Sequence, residues 1–129
     1  MEQTEIGPQL EELGRLIAED IDVDPDGVFM FVEAGEAWAG HALFKDMGDR
    51  VLYMEGSDDL EVALMDLWDM SPPDKRWSTM QYDIKDGRFT VIFGYEDVED
   101  PDYDEFERRT ELVRARFGDK PIDYSAVED

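Results

Sequence analysis

The sequence predicts a single α+β domain: an antiparallel sheet, built from a three-stranded meander and a C-terminal hairpin, with helices at the N-terminus, in the middle and at the C-terminus packed on it. Apolar residues recur at helical spacing in three separated stretches, and between those stretches they cluster or alternate in runs too short for helices. A length of 129 residues suits one hydrophobic core, read here as residues 1–129 with 1–7 and 125–129 loose.

Ile6, Leu10, Leu13 and Ile17 form one stripe, and Pro8 suits a first turn, so the first helix is expected over 8–20. VFMFVEA, residues 28–34, is short and rich in Val and Phe and reads as a buried strand closed by Gly35. A Gly35-Glu36 turn leads to a second strand, AWAGHALFKD, and the turn at Gly48-Asp49 leads to a third, VLYME. Ser57 or Asp58 caps the next helix, Asp58 and Glu61 having the spacing of a capping box. Its apolar face is Leu60, Ala63, Leu64, Leu67 and Trp68, and Ser71-Pro72-Pro73 stops it. Met80, Tyr82 and Ile84 then alternate with Thr79, Gln81 and Asp83, and beyond the hairpin signal Asp86-Gly87 so do Phe89, Val91, Phe93 and Tyr95. A last helix is expected over 102–117, with Phe106, Thr110, Val113 and Phe117 on one stripe and Gly118 as its stop.

Charge narrows the function classes. The chain carries 35 Asp and Glu against 12 Lys and Arg, a net charge of −23. Such a surface repels phosphate backbones and anionic headgroups, so neither nucleic acid nor membrane is expected as a partner. The absence of cysteine removes disulfides, thiolate metal sites and a Cys nucleophile. With no spanning apolar run and no secretory leader at the start, the expected compartment is the cytoplasm. A mean hydropathy of −0.54 leans towards disorder, but 42% hydrophobic residues in clear periods argue for a folded domain with its acids outside. Adaptation to a saline cytoplasm is a second reading of the acidity.

No catalytic residues and no cofactor are indicated: there is no phosphate-binding glycine loop, nucleophile elbow or H-E-x-x-H. Asp22-Val23-Asp24-Pro25-Asp26-Gly27 with Glu33 satisfies the literal EF-hand pattern. Pro25 stiffens that loop, Met30 offers no ligand, and a strand follows where an exiting helix is required, so an acidic helix-to-strand turn is the preferred reading and no metal is expected. His41 is the only histidine and has no nucleophile or ligand set beside it in the sequence.

The segment from Glu96 to Glu105 stands out, with Glu96, Asp97, Glu99, Asp100, Asp102, Asp104 and Glu105 around Tyr103. Part of this density suits the positive N-terminus of the last helix. The remainder reads as a negative lip, with Tyr95 and Tyr103 as anchors, suited to a basic protein. Partner contact is therefore placed on Tyr95, Glu96, Asp97, Glu99, Asp100, Asp102 and Tyr103, and the first hairpin around Glu33 to Trp38 is the alternative surface. Arg108 and Arg109 are expected to tie the lip to the last helix through carboxylate pairs.

Trp77, then Asp86-Gly87-Arg88-Phe89, then Gly94-Tyr95-Glu96-Asp97, and finally Phe106-Glu107-Arg108-Arg109 with Gly118 and Pro121 resemble the carboxyl half of the YezG-like antitoxin family. The resemblance is specific over 77–121 and generic before. Arg88 stands where the family has lysine, and Thr110 where it has a bulkier apolar residue. The resemblance implies an immunity protein that binds the nuclease domain of a polymorphic toxin in the cytoplasm. Rival readings are a polyanionic DNA mimic acting on DNA-binding proteins in general, and a calcium-dependent module using the 22–33 loop.

Overall fold

The computed structural model describes residues 2–21, 24–35, 38–71, 74, 76–98 and 100–125, and the side chains of 2–7, 105 and 106 lie outside that description. The chain runs α1 (Glu2–Asp20), β1 (Val28–Gly35), β2 (Trp38–Asp46), β3 (Val51–Met54), α2 (Asp58–Met70), β4 (Thr79–Lys85), β5 (Arg88–Gly94), α3 (Glu105–Phe117) and β6 (Ile122–Asp123). The six strands form one sheet in the order β5-β4-β1-β2-β3-β6. Every pairing is antiparallel except that of β6 with β3.

The sheet has two apolar faces, and they explain the unbroken hydrophobic run of β1. Val28, Met30, Val32, Ala34, Leu43, Met54, Met80 and Tyr82 pack with Leu13, Ile17, Leu60, Leu64 and Leu67 of α1 and α2. On the opposite face Phe29, Phe31, Ala42, Phe44, Val51 and Tyr53 pack with Leu112 and Val113 of α3. Gly14 serves the first face: a Cβ there would lie 2.9 Å from the Tyr82 hydroxyl, which donates to the Leu10 carbonyl at 2.6 Å.

Several expectations shift. Residues 2–7, expected to be loose, are helical, so Pro8 lies inside α1 rather than in its first turn and forgoes one backbone hydrogen bond. Ile6, placed on the apolar stripe, has its side chain outside the description, whereas Leu10, Leu13, Leu16 and Ile17 are buried. Ser57 caps α2, its Oγ accepting from the Leu60 N–H, so Asp58 is the first helical residue. The Asp20 carboxylate accepts both the N–H and the hydroxyl of Ser57 at 2.9 Å, joining the end of α1 to the start of α2. The last helix begins at Glu105 with Asp104 as its cap, so Asp102 lies outside its first turn. The two-residue β6 was not expected; Val51 N–H donates to the Pro121 carbonyl, and Arg50 pairs with Asp123 at 2.8 Å. Residues 126–129 of the C-terminal tail, and Glu36 of the first turn, lie outside the described residues. Among the described residues no helix is long and apolar enough to cross a membrane.

Candidate partner-binding surface

The acidic lip leaves β5 at Gly94 and crosses the end of the sheet to reach α3. Its turns are closed locally: Asp100 N–H donates to the Asp97 carbonyl at 3.3 Å, Tyr103 N–H to the Asp100 carbonyl at 2.9 Å, and Asp102 N–H to Asp100 Oδ1 at 2.8 Å. Asp104 accepts from the Glu107 N–H at 3.0 Å as the helix cap. Some of the acids therefore serve as turn and cap acceptors, a use of short carboxylates that needs no partner.

The lip is anchored at both ends. Glu96 is half-buried; it accepts from Thr79 Oγ1 and from Arg108 Nε at 3.0 Å, and its carbonyl accepts from the Ser78 hydroxyl. Tyr103 is half-buried too, and its hydroxyl donates to the carboxylate of Glu33, a residue 6% exposed on β1. Burial, and then the Glu33 carboxylate beside it, push the Tyr103 phenol well above its ordinary value. Of the two expected anchors, Tyr103 is thus turned into the molecule and Tyr95, 63% exposed, faces out. Asp97, Asp100 and Asp102 are exposed beside it. Glu99 lies outside the described residues.

The motif residues have structural tasks. Trp77 is 2% exposed and donates from Nε1 to Ser71 Oγ at 3.1 Å; its carbonyl accepts from Trp68 Nε1 at 2.8 Å, and its ring meets Phe93. Gly87 takes φ 76° in the hairpin turn, where a side chain would be strained, and Phe89 stacks on Tyr82 at 5.4 Å. Glu107 is exposed on the first turn of α3, and the Phe106 side chain lies outside the description. Arg108 makes the expected carboxylate pair with Glu96, and Arg109 lies over the Tyr53 ring, 5.5 Å from its centroid.

The alternative surface is split. Glu33 is committed to Tyr103, while Trp38 is 39% exposed at the rim of a cavity of about 220 Å³ that Glu33, Gly40, Tyr53 and Arg109 also line. The described part of the EF-hand pattern, residues 24–27, is a turn that leads into β1. Asp24 Oδ1 accepts from the Asp26 N–H, Asp26 Oδ1 accepts from the Asp86 N–H at 2.6 Å, and Lys45 donates to the carbonyls of both loop residues. Glu33 belongs to the strand that follows, and Asp22 lies outside the described residues. Among the described residues no three His, Asp or Glu side chains gather closely enough to hold a metal ion.

His41 Nε2 accepts from the Gly56 N–H at 3.0 Å, and burial depresses its pKa despite the nearby Glu61, Glu55 and Asp20 carboxylates. It is a neutral acceptor for the β3–α2 connection. A groove of about 540 Å³ between α1 and the β4–β5 hairpin has Tyr82, Ile84 and Phe89 as its apolar wall, with Glu11, Arg15 and Arg88 at its rim. Arg15 is already paired with Glu12 and Glu19. No protein-family model matches the chain, and no curated protein matches it either.

Proposed function

We propose that this chain is a non-enzymatic immunity protein, of the YezG-like kind, that neutralises a basic toxin in the cytoplasm by covering its cationic surface, the toxin being a nuclease domain. The observation that carries the reading is the lip: a loop pinned inward at Glu96 and Tyr103 that holds Tyr95, Asp97, Asp100 and Asp102 outward. A loop ordered before binding loses less entropy when it docks, which leaves more of the contact energy as affinity. A net charge of −23 would speed encounter with a protein that displays Lys and Arg to grip phosphates. Tyr95 supplies the aromatic body that charge alone does not, because strong interfaces concentrate their energy in desolvated anchors.

The test is co-expression with the toxin encoded beside this chain's gene, followed by titration of the purified pair at physiological ionic strength. Growth should be rescued, and the triple variant Asp97→Lys, Asp100→Lys, Asp102→Lys should weaken binding by about 100-fold or more, close to 3 kcal/mol. Tyr95→Ala should weaken it by about tenfold or more. Failure to protect cells from that toxin would overturn the reading. Protection with unchanged affinity in the triple variant would move the contact off the lip. Equal binding to unrelated basic proteins, lost steeply with salt, would indicate a general polyanionic mimic instead.

A further inference from the structure

We propose that the free edge of β5 is a self-pairing surface, onto which a second copy of this chain adds its own β5 in antiparallel register. β5 is the outermost strand of the sheet, and among the described residues nothing pairs with its far side. The opposite edge ends in the two-residue β6, too short to template another strand, whereas β5 presents seven residues. β5 carries little of the usual protection of an exposed edge: it has no proline and no lysine, and its one charge, Arg88, stands at its first position. Ile92, on this strand, is 51% exposed, and Tyr95 follows its end. In a chain with 35 acidic residues, the stretch 87–95 contains none. Two copies can therefore bring these strands together without setting carboxylate against carboxylate within the ladder.

The turn fixes the register. Asp86 and Gly87 have φ of 55° and 76°, the pattern of a two-residue type I′ turn, so Lys85 and Arg88 form its hydrogen-bonded closing pair. Alternation then points the N–H and C=O groups of Phe89, Val91 and Phe93 away from β4. A two-fold axis at Val91 pairs Phe89 with Phe93 of the second copy and Arg88 with Gly94 of the second copy. Arg88 is exposed and has no ion-pair partner among the described residues. In this register it faces Gly94 of the other copy on the same side of the sheet, next to the Glu96 carboxylate that lies over Gly94, and symmetry makes the same contact twice. The edge is self-complementary because its cation lies at one end and the acidic lip at the other, whereas parallel addition would set lip on lip.

The inference is tested on the purified full chain. Light scattering over a concentration series should show the mass rising from 14.9 kDa towards twice that value. Association should strengthen from low to physiological salt, because screening relieves the repulsion between two bodies of charge −23. Arg88→Glu should raise the concentration of half-association by about tenfold or more, whereas Arg88→Lys, which keeps the charge, should change it little. Val91→Pro removes an outward N–H and should abolish association; if it fails to fold, the two Arg88 variants carry the test alone. A chain that stays monomeric at every concentration and salt overturns the proposal. So does a dimer that neither Arg88→Glu nor a folded Val91→Pro weakens.

Discussion

The two faces of the sheet are built differently. Beneath α1 and α2 the apolar surface runs from β3 across to β5, with Leu52, Ile84, Phe89, Val91 and Phe93 packed against the buried cluster. Beneath α3 it covers β1, β2 and β3 and reaches Ile122 of β6, and over β4 and β5 the same face carries Gln81, Asp83, Thr90 and the exposed Ile92. Arg116 marks the border: its guanidinium stacks over Phe29 at 3.8 Å and donates to Asp83 at 2.9 Å and Gln81 at 2.8 Å. One face therefore supplies the cohesion of the fold, and the half-covered one leaves room for the lip to cross to Glu33. Apolar burial needs continuity to exclude water, while a recognition surface needs polar groups held in place beside an open strand.

Truncation on each face is the largest expected effect. Leu64→Ala, at a position with no exposure, should destabilise by about 3–5 kcal/mol in urea unfolding, and Leu112→Ala, 8% exposed on the sheet-facing side of α3, by about 2–3 kcal/mol. Equal losses would break the contrast between the faces. Tyr103→Phe comes next. It deprives the buried Glu33 carboxylate of a donor and should lower stability by about 1–3 kcal/mol. The same variant should increase hydrogen exchange over 96–104, since Tyr103 is the inner anchor of the lip; unchanged exchange there would show that Glu96 and Arg108 suffice.

The smallest effect belongs to His41. Its folded-state pKa is depressed, chiefly by burial, so the unfolded chain binds the extra proton more readily. Stability from this group is complete above the ordinary histidine value of about 6.5 and is lost as pH falls from there towards the lower folded value, by less than about 1.4 kcal/mol per pH unit. His41→Gln should flatten that part of the profile relative to the parent. An unchanged difference between pH 7 and pH 5 would mean that the imidazole does not stay neutral.

How much was legible follows from where the information lies. The β4–β5 hairpin was readable because its turn residues and its alternation are both local, and β1 because burial on two faces leaves a continuous apolar run. The lip was visible as a density of acids, but not which of them turn inward. Glu96 and Asp97 are adjacent and alike, and only the positions of Arg108 and Thr79 commit the first to the interior. The start of α3 was misplaced for a similar reason. Asp102 and Asp104 are both good caps, but Asp102 lies in the turn that the Tyr103 N–H closes on the Asp100 carbonyl, which leaves Asp104 to cap the helix. At the other end Pro8 suggested a helix start that the backbone does not use, and β6 is too short to leave any period.

The sequence by itself determined the helices and strands, the buried faces of most of them and the sign of the surface, because period, turn chemistry and charge are properties of neighbouring residues. Only the tertiary structure decided that β4 pairs with β1, that Tyr103 points in while Tyr95 points out, and that β5 is left as an open edge. Those choices depend on which distant groups meet, and a linear pattern of apolar and charged residues holds no record of that.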